Sequence, residues 1–146
     1  MRALAIFPLM TFPVVTYNLL ALSGQAFGSV AQMRVRLDTD FLHVPMASGV
    51  HWAITPGHAL IAAALLCLFF ELIKSTGTGR AAVMNHAFSL VLFVVCLVEF
   101  LLMPAFATSV FFLIGAMCLL DVMAGFMVTI ASARRDFSVD AAAYAD

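Results

Sequence analysis

The chain reads as an all-α membrane protein, a four-helix transmembrane bundle with a small β-hairpin or flap between its first and second helices. Three observations predict this. Of the 146 residues, 64% are hydrophobic and only 10% are charged, which no soluble globular domain of this size matches. The apolar residues gather into four long runs, at about residues 3–22, 55–74, 82–103 and 108–132. Roughly 20 helical residues at ~1.5 Å rise cross a hydrocarbon core of ~30 Å. Third, the seven Lys and Arg residues lie outside the runs or, for Lys74, at the last position of one, and distribute unevenly between the two sides.

The first run begins Met1-Arg2 and carries Pro8 and Pro13, so it is expected to be a retained helix kinked near its prolines rather than a cleaved leader. Between the first and second runs, Met33 to Phe41 alternates apolar and polar residues, the period-2 pattern of a half-exposed strand. Phe41 to Met46 and Val50 to Ile54 are further extended stretches around the turn signal Ala47-Ser48-Gly49. A flap over about residues 30–54 follows. Thr55-Pro56 opens the second span, with Thr as cap and Pro at the first helical position. Trp52 suits the aromatic belt at a membrane interface. The second connection, Ser75-Thr76-Gly77-Thr78-Gly79-Arg80, lacks the Lys-Ser/Thr ending of a phosphate-binding loop and reads as a short helix connector. Pro104-Ala105-Phe106 is a tight turn between the third and fourth runs. One four-span domain therefore covers residues 1–133, followed by a short tail at 134–146.

Orientation follows from the basic residues. Arg2, Lys74, Arg80, Arg134 and Arg135 fall on one side of a four-span arrangement, and Arg34 and Arg36 on the other. The positive-inside bias puts both termini in the cytoplasm, in a membrane most simply the bacterial inner membrane, with the flap outside.

Charge inside the spans is the main functional clue, because an ionisable group there costs on the order of 2.5–3.5 kcal/mol on insertion scales. Asp121 lies deepest, about 10 Å from the cytoplasmic face, near the level of Ser89 and Cys67, with His86 and Glu71 somewhat below. Two readings are open for it: a neutral carboxyl that holds helices in register, or a site that binds a proton or cation. Glu71 has Lys74 one turn later and reads as an interfacial, snorkelling pair. Tyr17, Asn18, His58 and Glu99 fall at one outer level, under the flap that carries His43 and His51. Helical steps place His86, Ser89, Phe93, Cys96, Glu99 and Met103 on one stripe of the third helix, and Cys118, Asp121, Gly125, Thr129 and Ser132 on one of the fourth. These two helices should pack antiparallel along the stripes.

Several classes drop out. A net charge of −1 with no basic stripe offers nucleic acid nothing. Cys67, Cys96 and Cys118 each lie in a span without a CxxC, against a disulfide framework or a thiol relay. His58 and His86 sit at opposite ends of their helices, so they cannot share a haem, and no cofactor is expected. His43, His51 and His58 with Glu99 offer the ligand types for an exterior metal site, at spacings that match no compact motif. With no nucleophile–base pair and no nucleotide loop, the chain is expected to be a non-catalytic subunit or self-assembling accessory component. Its partners are then the bilayer and a homo-oligomer or larger membrane complex. Two alternatives stay open: a small proton- or ion-coupled transporter or channel using Asp121 and Glu99, and a redox or quinone-linked protein with an outer-layer site around His58.

Overall fold

The computed structural model describes residues 6–27, 29–75, 77 and 79–143, the side chains of 25–27 and 132–143 excepted. The described residues are mostly helical. In order they form α1 (Thr11–Phe27), α2 (Val30–Asp38), β1 (Leu42–Pro45), β2 (His51–Ile54), α3 (Pro56–Ser75), α4 (Arg80–Leu102), a 3₁₀ turn (Pro104–Phe106) and α5 (Ser109–Ala143). Three helices are long and apolar enough to cross a membrane: α3, α4 and the Ser109–Ala131 part of α5.

The first predicted span is displaced. Its helix starts at Thr11 rather than near residue 3 and runs on to Phe27, while residues 3–5 lie outside the described ones. The prolines explain the shift. Pro8 sits in a turn where Thr11 and Phe12 donate to the carbonyls of Pro8 and Leu9, each at 3.1 Å. Pro13 falls in the first turn of α1, where its missing N–H leaves no helical bond unmade. At 17 residues, α1 is about 26 Å long.

The strand expected at Met33 to Phe41 is a helix instead. A capping box starts it: Gln32 N–H donates to Ser29 Oγ (3.2 Å), and Ser29 N–H donates to Gln32 Oε1 (3.3 Å). The two readings place Val35 differently. A strand would align Met33, Val35 and Leu37 on one buried face. In the helix Met33 and Leu37, one turn apart, are buried, and Val35 is 64% exposed. α2 therefore lies against the bundle rather than extending a sheet. Its Arg34 donates to the carbonyls of Pro104 (2.7 Å) and Ala107 (3.2 Å), tying α2 to the α4–α5 turn.

The remaining part of the flap is a two-stranded antiparallel hairpin, pairing Leu42 with Ile54 and Pro45 with His51. Gly49 holds φ +82° in its turn, a conformation that disfavours side chains. Thr55 then caps α3 as expected. Its Oγ1 accepts from His58 N–H (3.1 Å), and its own N–H donates to His58 Nδ1 (3.3 Å).

α5 is the spine. It packs against both α3 and α4, which touch each other little, while α1 packs on α2, α3 and α5. The α4–α5 contact follows the expected stripes over Ser89, Cys96, Cys118, Asp121 and Gly125, which are buried, but not at Thr129, which is exposed; Ser132 lies outside the described side chains. Val14, Tyr17 and Ala21 form the buried stripe of α1, continued by Met10 in the turn before it. Tyr17, Phe106 and Phe111 stack at centroid separations of 4.7–5.6 Å and close the flap end of the core. Toward its C-terminus α5 continues into the segment expected as a short tail, reaching Ala143. Its 35 residues span about 52 Å, well beyond a ~30 Å hydrocarbon core.

Candidate functional site

Polar side chains converge where α3, α4 and α5 meet. Glu71 of α3 is completely buried, which corrects the expectation of a snorkelling interfacial pair. Its Oε2 accepts from Leu9 N–H (2.7 Å), in the turn that leads into α1. Its Oε1 accepts from Asn85 Nδ2 and pairs with Lys74 Nζ at 3.0 Å. Lys74 also donates to the Phe7 carbonyl at 2.7 Å. The chain thus folds its N-terminal segment over the end of α3. Glu71 receives an otherwise unsatisfied backbone donor near the positive end of a helix, which suits a carboxylate. The Glu71–Lys74 pair is interior because a segment more than sixty positions earlier in the sequence covers it.

Asn85 links this ion pair to a second group. Its Nδ2 is committed to Glu71, which fixes the amide and leaves Oδ1 free. One helical turn on, Ser89 faces Asp121 of α5, which also feels the charges of Glu71, His86 and Lys74. Asp121 is 0% exposed, Asn85 and Ser89 each 1%. Both Asp121 oxygens, Asn85 Oδ1, Ser89 Oγ and His86 Nδ1 are buried without a hydrogen-bond partner. Each of these atoms bears a lone pair. Buried polar groups are nearly always satisfied, and an unpaired one costs about 1–3 kcal/mol. They lie on two helices, and the Ser89 hydroxyl, itself a proton donor, faces the Asp121 carboxyl; the lone pairs left over are open to a proton, a water molecule or a small cation. Gly125 shapes its wall. A methyl group built there would overlap the His86 ring, so the glycine lets the imidazole lie flat against α5.

Of the residues picked from the sequence, Asp121, Ser89 and His86 therefore meet. Cys67, placed at the same level, is half-buried on α3. The outer residues do not form one layer. Asn18 Nδ2 donates to Glu99 Oε2 (3.2 Å) and to the Val14 carbonyl, so these two residues do pair. The Tyr17 hydroxyl is engaged separately, with the Ala105 carbonyl (3.1 Å) and Thr108 Oγ1 (2.6 Å). His58 is exposed and caps α3. The exterior metal site is not supported: among the described residues, no three His, Cys, Asp or Glu side chains are placed to hold a metal ion.

Sequence reasoning missed Asn85 and misplaced Glu71. A signal for Asn85 existed, because it extends the Ser89 and Cys96 stripe by one turn toward the helix start. Nothing local marked Glu71 as interior. Comparison with protein families, with characterised proteins and with solved structures gives no match.

Proposed function

We propose that this protein is a four-span membrane protein of the bacterial inner membrane, both termini cytoplasmic, in which Asp121 reversibly binds a proton or small cation during ion-coupled transport. The observation that carries the reading is the Asp121 carboxyl, wholly buried with neither oxygen partnered. Glu71 has a cation and two N–H donors to balance it, whereas Asp121 has the Ser89 hydroxyl beside it and no ion pair among the described residues. A carboxylate kept in such surroundings needs an exchangeable counter-charge, and polar residues at this depth mark ion pathways. The four crossings rest on the three long apolar helices, on α1 packed alongside two of them, and on the five-to-two bias of basic residues. Reconstituted into liposomes, the wild type is expected to dissipate a proton or alkali-cation gradient. Asp121→Asn, close in size and shape, should lower that flux at least tenfold while the protein still inserts and purifies as a single species. Flux unchanged by Asp121→Asn, or none from the wild type under proton, sodium and potassium gradients, would contradict the proposal.

A second reading is that the chain is a non-catalytic subunit of a larger assembly or homo-oligomer. Two observations favour it. Only 17% of the α4 span is buried within the chain, so its apolar surface is open to lipid or to a neighbour. The two-stranded hairpin also leaves each strand with an unpaired edge able to receive another strand. Mass measurement after mild-detergent extraction separates the cases: a stoichiometric complex supports the subunit reading, and an active monomer removes it.

A further inference from the structure

A second polar feature lies at the opposite end of the bundle. A cavity of about 220 Å³ opens between α1, α2 and the start of α3. Leu20, Met33 and Leu37 give it an apolar floor, and Ser23, Gln32 and Arg36 a polar rim. The two arginines of α2 differ in use. Arg34 is bound to the carbonyls of the α4–α5 turn, whereas Arg36 forms no hydrogen bond or ion pair among the described residues. Gln32 uses its Oε1 in the capping box, which leaves its Nε2 as a donor at the rim. Pro56, where α3 enters its apolar span, also lines the cavity, so the site sits where a span meets the membrane surface. A cationic fork above an apolar floor at that depth complements an amphiphile with an anionic head.

We propose that this cavity binds one anionic phospholipid, its phosphate on Arg36 and Gln32 and the start of an acyl chain along Leu20, Met33 and Leu37. The site is independent of the Asp121 cluster, though it rests on α2 lying at the outer membrane surface. Labelling a cysteine placed at position 36 with an impermeant reagent from outside the cell tests that placement by itself.

The lipid is tested by native mass spectrometry of the full chain released from bilayers of phosphatidylglycerol or of phosphatidylcholine. The wild type is expected to retain one phosphatidylglycerol per chain and at least fivefold less phosphatidylcholine. Arg36→Gln should lower phosphatidylglycerol retention at least fivefold, and Arg36→Lys, which keeps the charge but loses the fork, should fall between. Leu20→Trp fills the apolar floor without touching charge and should expel the lipid too, so the test survives if Arg36→Gln fails to fold. Equal retention of the two lipids, or wild-type retention by both Arg36→Gln and Leu20→Trp, would overturn the proposal. So would displacement of the lipid by millimolar inorganic phosphate, which would make the site one for free anions.

Discussion

Replacing Glu71 by alanine is expected to destabilise this chain more than any other single substitution on its polar side chains. The carboxylate holds three groups at once: the Leu9 N–H, the Asn85 amide and the Lys74 ammonium. Its loss strands a backbone donor and an amide donor in the interior, and leaves Lys74 with the Phe7 carbonyl alone among the described residues. Side-chain interactions inside membranes average about 0.6 kcal/mol and reach about 1.7, while stranding a buried partner costs about 1–3 kcal/mol. Three interactions lost together imply about 3 kcal/mol. Glu71→Gln keeps an acceptor oxygen but not the charge, and should lose roughly half as much. Reversible unfolding in bicelles measures both. Asn85 would also lose the bond that aims its carbonyl oxygen, so Glu71→Ala should weaken the Asp121 site without touching it. A Glu71→Ala protein as stable as one with Leu66→Ala, a change on an exposed face, would contradict this placement.

The second large effect concerns packing. Gly125→Val is expected to separate α4 from α5, because even the first carbon of a side chain would overlap the His86 ring. Overpacking of a close helix contact costs about 1–3 kcal/mol. Either the His86 ring swings out of its place or the helices separate, and both disturb the α4–α5 contact. Gly115 on the same helix supplies the comparison. A Cβ there would meet only Cys96 Cβ, at an ordinary 4.0 Å, so Gly115→Ala should stay within about 0.5 kcal/mol of wild type. The same unfolding assay reads both. Equal effects at the two glycines would show that the α4–α5 interface is looser than described.

Features fixed within one element were legible in the sequence. α3, α4 and the membrane-length part of α5 could be read because segments of some twenty predominantly apolar residues admit few other structures. The hairpin could be read from Ala47-Ser48-Gly49 between extended stretches, and the Thr55 cap from its neighbour Pro56. The convergence of Ser89, His86 and Asp121 followed from helical spacing alone. What escaped depends on contacts distant in sequence, or on two local codes in conflict. Met33 to Phe41 alternates like a strand, but Ser29 and Gln32 form a capping box, and burying Met33 and Leu37 together on the bundle selects the helix. Glu71 beside Lys74 has the spacing of a surface pair, and only the N-terminal segment folding over it makes it interior. His58, assigned by depth to an outer polar layer, is half of a helix cap. The order of the tail was not legible, and helix persists there to Ala143 once the apolar stretch has ended.

Carbodiimide labelling of the purified protein in bilayers tests most directly whether Asp121 is an exchangeable site. Hydrophobic carbodiimides react with protonated carboxyls in apolar surroundings, and a bound cation or a lost proton blocks the reaction. Peptide mass mapping should find Asp121 modified, with labelling that falls at least fivefold as the competing cation is added or the pH is raised. An Asp121 that labels equally under every pH and every cation, or that never labels at all, would mean that its carboxyl is a fixed strut between helices rather than a place where charge is bound and released.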